Sequence, residues 1–172
     1  MRSPGRRRRL ERKICGLRTL AGVVRRAHQQ GRRVVLTNGC FDLLHVGHVK
    51  LLEQAKAMGD VLIVAINSDR SVRELKGPGR PILPQRDRAL FLAALASVDY
   101  VTIFDDATPS RLIVKLSPDV LVKGADWKPT EIVGRELIRR RGGLVVRVPL
   151  VDGYSTSKLL HRIASLVRRT KR

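Results

Sequence analysis

Two histidines three residues apart, His45 and His48, stand in the stretch VVLTNGCFDLLHVGHVKLL (34–52), where an apolar run gives way to a helical pattern. Asn38 and Gly39 close the run, Phe41-Asp42-Leu43-Leu44 forms a loop, and His45 opens the helix. A helix N-terminus carries unpaired backbone N–H groups and partial positive charge, which attract anions. Side chains three apart share a helix face, so both imidazoles can address one anion. Imidazole donates a hydrogen bond in either protonation state. Gly47 removes a side chain where backbone or ligand must come close. Zinc pairs on helices follow His-x-x-x-His with a Glu and a third ligand. No nearby Cys or Glu completes such a set here, and no protein-held metal site is expected. Packing alone is the plainest use of two histidines, but this position favours phosphate.

Other groups with chemical potential follow later apolar runs. The stretch LKGPGRP (75–81) offers Lys76 and Arg80 among two glycines and two prolines. It is either an exposed turn or a basic flap that meets phosphates, with prolines limiting its freedom. Arg88 lies near the start of a helical pattern, where a cation opposes the helix dipole, so it is expected to face the site. In VKGADW (122–127), Lys123 ends a strand, Gly124 permits a close turn, and Asp126 can accept from hydroxyls. Trp127, the single tryptophan, either covers a ligand or caps the core. In DGYSTSKLL (152–160), one of Ser155, Thr156 and Ser157 suffices to cap a helix. Three hydroxyls together suggest a second phosphate cradle facing the histidines.

The elements that must position these groups are legible as alternation. Strand-like runs fall at 34–37, 61–67, 100–104, 119–123 and 144–148, rich in Val, Ile and Leu as strands buried on both faces are. Helical patterns lie at 17–30, 46–58, 85–97, 109–116, 130–141 and 155–168. This predicts an α/β chain: a Rossmann-like, doubly wound, five-stranded parallel sheet with helices on both faces, in one domain. Ligands bind outside the carboxyl ends of such strands, which is where the candidate groups fall.

The string CFDLLHVGH resembles the HxGH signature of the cytidylyltransferase-like nucleotidyltransferases. With LIVAINSD, LKGPGRPI, VLVKGADW and DGYSTSKLL in register from about 17 to 165, the chain more narrowly resembles the branch that adenylylates D-glycero-β-D-manno-heptose 1-phosphate. The resemblance implies transfer of AMP from ATP to that sugar phosphate, releasing pyrophosphate, in the synthesis of a lipopolysaccharide precursor. It implies catalytic roles for His45, His48, Lys76 and Arg88. Nucleotide contacts would come from Asn38, Gly39, Cys40, Phe41, Asp42, His45, Gly47, His48, Lys123, Gly124, Tyr154, Ser155, Thr156 and Ser157. The sugar phosphate would meet Asn67, Asp69, Lys76, Arg80, Lys123, Asp126 and Trp127. Magnesium is expected with ATP. The glycerol-phosphate cytidylyltransferases, a sister group, carry an arginine and a threonine before the last motif that this chain lacks. Cytidylyl transfer to glycerol 3-phosphate is therefore the second reading. The sugar kinase often fused to this transferase type is absent from the chain, so a separate kinase is expected to supply substrate. A homodimer is compatible with this reading.

Composition bounds the rest. The 172 residues carry a formal net charge of +20 and 3% aromatics. Residues 1–13 hold seven basic residues against one acidic, and 162–172 hold five against none. Such ends suit anionic partners, but without interleaved aromatics or a reader motif they are first read as solvated arms. A nucleic-acid-binding protein on a vestigial nucleotide fold is the rival of a different class. The divisions expected are a disordered basic arm at 1–15, the nucleotidyltransferase domain at 16–168 and a basic tail at 169–172. Two cysteines, Cys15 and Cys40, make no disulfide framework. No apolar run reaches the roughly 18 residues of a membrane span, and no signal-peptide pattern is seen. A cytoplasmic location is expected.

Overall fold

Each of the five apolar runs becomes a strand. The structure, a computed structural model, describes residues 9–149 and 151–170. In chain order its elements are α1 (Leu17–Gln29), β1 (Val34–Gly39), α2 (Val46–Lys56), β2 (Val61–Asn67), α3 (Asp69–Lys76) and α4 (Gln85–Ala94). Then come β3 (Tyr100–Phe104), α5 (Ser110–Leu116), β4 (Val120–Gly124), α6 (Arg135–Arg140), β5 (Leu144–Val148) and α7 (Thr156–Thr170). The strands pair in parallel in the order β3-β2-β1-β4-β5. Strand order reverses between β1 and β4, and the crevice outside their carboxyl ends is the expected binding place in such sheets.

Alternate strand residues feed two cores. On one face Leu36, Ile63, Ala65 and Leu121 pack with Leu20 and Val24 of α1, Leu112 and Ile113 of α5 and Ile138 of α6. On the other, Val35, Val64, Ile66 and Val122 pack with Leu52 of α2 and Leu92 of α4. The two-residue period of a strand sends neighbours to opposite faces, so runs apolar throughout cover both layers.

Several boundaries differ from the pattern reading. Helix α3 was not predicted, although Ser68 caps it by accepting from the Ser71 N–H at 3.2 Å and Asp69 stands in its first turn. The expected helix at 130–141 is a 3-10 turn at Pro129–Glu131 followed by α6. Gly134 divides them at φ +85, and a β-carbon there would meet Ile113 Cδ1 at 2.4 Å. Only glycine fits that close approach of backbone to α5.

The expected disordered arm also needs correction over residues 9–15. Ile14 bridges Val101 in parallel. Cys15 N–H donates to Val101 O at 2.9 Å, and Val101 N–H donates to Lys13 O at 2.8 Å. Lys13 Nζ donates to Val98 O at 2.7 Å. The cause is the free edge of β3, whose unpaired backbone groups take up a passing segment. Residues 1–8 lie outside the described residues. Residues 1–8 carry no apolar pattern to bury, so deleting them alone is expected to leave the melting temperature unchanged. Deleting 1–13 removes two of these hydrogen bonds and is expected to cost about 2 kcal/mol, at roughly 1 kcal/mol per bond. Thermal denaturation of both truncations checks the pair.

Candidate active site

The site is assembled where β1 ends. Phe41 has a left-handed φ of +45, uncommon for a bulky residue, and is buried. That turn lays its ring against Gly39 and brings it to 5.1 Å from the His48 ring, centroid to centroid. His45 is the N-cap residue of α2 with extended backbone, but its side chain makes no capping bond. Its ring instead stacks on His48 with centroids 3.8 Å apart and planes 21° from parallel. Gly47 makes this stack possible, because a β-carbon there would sit 3.0 Å from the His45 ring. Gly47→Ala is expected to displace His45 while suiting the helix. A roughly tenfold or larger fall in kcat with near-unchanged melting temperature would follow, since small misplacements at a reacting centre weigh heavily. Steady-state kinetics alongside thermal denaturation checks it.

Among the described residues three buried polar atoms have no hydrogen-bond partner: Nδ1 of His45, Nδ1 of His48 and Oδ1 of Asn38. Such atoms are costly unless something satisfies them. Burial holds the pKa of both histidines down, and the neighbouring His45 pushes His48 further, to about 4. At neutral pH both rings are uncharged, each able to donate one N–H to an anion. Tyr154, at the entry to α7, lies 6.5 Å from the His45 ring. Ser155 caps α7 by accepting from the Lys158 N–H at 3.1 Å. The hydroxyls of Thr156 and Ser157 have no partner among the described residues. From the far side of the switch point, Lys123 donates to Asn38 O at 3.1 Å and lies 5.0 Å from the Trp127 ring centroid. Burial lowers the Lys123 pKa to about 8, against the opposing pull of Asp126 and Cys40. Burial likewise raises the Cys40 thiol pKa.

A second group of predicted residues forms a connected network beside the histidines. Asp42, almost wholly buried, accepts from Arg80 Nε at 2.7 Å and from the N–H groups of Ile82 and Leu83 at 2.8 and 3.0 Å. These bonds hold its carboxyl pKa down against the opposing effect of burial. The segment expected to be a flap is thereby fastened to the histidine loop. Arg88, expected to face a phosphate, is instead fully buried. Its guanidinium donates to Leu83 O at 3.0 Å, Cys40 O at 2.6 Å and Asp69 Oδ1 at 2.7 Å. Asn67 donates to Ser71 at 3.0 Å. Lys76, Asp126 and Trp127 are exposed, so Trp127 does not cap the core.

Comparison with known proteins places the chain in a family. The family model described as cytidylyltransferase-like matches residues 36–163. The chain belongs to the cytidylyltransferase-like family. Within that family it is 51% identical over 153 residues to the bifunctional protein HldE of Citrifermentans bemidjiense, covering 89% of this chain and 31% of that protein. It is 54% identical over 150 residues to HldE of Koribacter versatilis, with 87% and 31% covered. The chain thus spans about a third of the length of the curated relatives it matches. Among solved structures, the lipopolysaccharide core biosynthesis protein from Thermoplasma volcanium GSS1 superposes with a TM-score of 0.59 at 27% identity, covering 73% of this chain and all of that one.

Sequence reading missed how this candidate site is buttressed. Gln85 Oε1 accepts from the Asp69 N–H at 2.9 Å, and Arg147 donates to Ala125 O at 2.6 Å, holding the loop that carries Asp126 and Trp127. These links join residues 16 and 22 positions apart, a separation at which no local pattern could signal them.

Proposed function

We propose that the chain transfers AMP from ATP to D-glycero-β-D-manno-heptose 1-phosphate, forming an ADP-sugar and pyrophosphate. The observation that carries the reading is the stacked, uncharged pair His45 and His48, with both Nδ1 atoms buried and unpartnered beside the N-terminus of α2. A phosphate oxygen is the partner such a pair suits. The sugar-phosphate oxygen, anionic at neutral pH, attacks the α-phosphorus of ATP. A new P–O bond forms as the bond to the bridging oxygen of the β-phosphate breaks, and pyrophosphate leaves with that electron pair. No strong general base is required, so rate comes from alignment and charge stabilisation. His45 and His48 donate to the α-phosphate. Lys123 supplies charge from β4, and Thr156 and Ser157 with the first turn of α7 cradle the remaining phosphates. Lys76, exposed at the end of α3, adds a further cation. Asp42 and Arg88 act by position, tying flap, histidine loop and α3 together. Magnesium would accompany the ATP triphosphate. Among the described residues no group of three or more His, Cys, Asp or Glu is placed to hold a metal. A sugar kinase activity would supply the substrate. No helix among the described residues is long and apolar enough to cross a membrane.

The choice of ATP and of the heptose rests on VKGADW and DGYSTSKLL, which resemble the heptose branch. A pocket that hydrogen-bonds one base edge leaves polar groups unpaired for another. ATP is expected to exceed CTP by at least about tenfold in kcat/KM, roughly 1.4 kcal/mol in the transition state. The measurement is pyrophosphate release with the heptose phosphate and each nucleotide at matched magnesium. Equal rates or preference for CTP would move the assignment to the cytidylyl branch, with phosphate chemistry at the histidines standing.

A further inference from the structure

The end of the sheet remote from the histidines carries an open cavity of about 350 Å³. Its wall includes Arg12 and Lys13 from the edge segment, Arg26 from α1, Arg32 from the loop before β1, and Tyr100 at the start of β3. Among the described residues Asp99 is its one acidic lining residue, and that carboxylate is already engaged by Lys56 Nζ at 2.6 Å and the Leu62 N–H at 2.7 Å. Lys13 is likewise held by Val98 O, and Arg32 makes only a long contact of 3.4 Å to Asp60 O. The guanidinium groups of Arg12 and Arg26 have no hydrogen bond or ion pair among the described residues. Two uncompensated guanidinium groups thus line one concavity, backed by two further cations. β2 begins at this cavity with Val61 and ends beside the active site with Asn67. At about 3.3 Å per residue that separates the two places by roughly 20 Å.

We propose that this cavity is a second binding site, for a small oligophosphate anion. Guanidinium forks match the several oxygens of a phosphate chain in bidentate fashion. The volume lies within the range of about 300–1,000 Å³ usual for small-molecule pockets. A bound oligophosphate would link Arg12 on the edge segment to Arg26 on α1. It would therefore raise the thermal stability of the protein by mass action.

The test is isothermal titration and thermal denaturation of the full chain with tripolyphosphate, at fixed ionic strength. Wild type is compared with the double variant Arg12→Glu/Arg26→Glu. Both side chains are exposed, and neither belongs to the catalytic machinery. Wild type is expected to take up one more equivalent than the double variant, and to show a thermal upshift that the variant loses, with turnover unchanged. The milder pair Arg12→Gln/Arg26→Gln should weaken that equivalent at least tenfold, and it serves if charge reversal impairs folding. A parallel titration with ATP distinguishes sources within the class: tighter binding than tripolyphosphate indicates a nucleotide, and equal binding indicates free phosphate chains. The same stoichiometry and affinity in wild type and both variants would overturn the proposal. So would a thermal upshift reproduced by sulfate at matched ionic strength. Single-stranded oligonucleotide binding the same arginines more tightly than tripolyphosphate would replace it with a nucleic-acid contact.

Discussion

His48→Ala is expected to lower kcat by roughly 10²–10³-fold while ATP affinity changes less, by analogy with removing one donor from an oxyanion site. The side chain is held by its stack on His45 and by the Phe41 ring, and its Nδ1 is unpartnered. It is therefore preorganised, needing little rearrangement to meet charge as it develops. Activity near wild type would remove the central support for nucleotidyl transfer here. The same residue predicts a pH dependence of stability. Its folded pKa of about 4 lies below the ordinary 6.5. Between those values the unfolded chain binds the proton that the folded protein refuses, so stability falls as pH drops from about 6.5 to about 4. Above 6.5 this residue contributes no slope. The full effect is on the order of 3 kcal/mol, and His45, shifted in the same direction, adds to it. Denaturant unfolding from pH 7.5 to 4.5 measures the sum, and His48→Ala should flatten the curve. Binding of a triphosphate, which favours the charged imidazole, should move both titrations upward in histidine NMR spectra.

Arg88→Ala is expected to destabilise the protein by about 3–5 kcal/mol, the scale for removing one partner of a buried ion pair. The arginine is fully buried, and its loss strands Asp69 Oδ1, Cys40 O and Leu83 O, three acceptors from three segments. Arg88→Lys should recover only part of this, because one ammonium cannot reproduce a planar fork aimed at three acceptors. Chemical denaturation of both variants gives the stability terms, and kinetics at a temperature where each is folded gives the activity. If Arg88 acts by position, Arg88→Lys should lower kcat through a misplaced flap and leave the pH profile intact. A melting temperature within 2 °C of wild type for Arg88→Ala would contradict the buried network. A loss of about 4 kcal/mol would shift a domain of this size by considerably more.

The layers, the strands and the nearness of His45 to His48 are legible in the sequence alone. Those features are local: five nearly continuous apolar runs, helical patterns between them, and two histidines three residues apart where one such pattern begins. The missed helix α3 was also within local reach, since Ser68 and Asp69 form an ordinary start signal. The break at Gly134 was not, because its cause is Ile113 on another helix. The same distinction runs through the site. Asp42, Arg80 and Arg88 are recognisable as candidates by type and position, but their directions depend on contacts 38 to 48 residues apart. Only the folded chain could engage Asp42 with the flap, bury Arg88 among three acceptors, and fasten residues 13–15 to the free edge of β3. The physical reason is that a buried polar group must find partners wherever the fold supplies them. Partners brought together by tertiary packing leave no period, cap or turn in the sequence around either one.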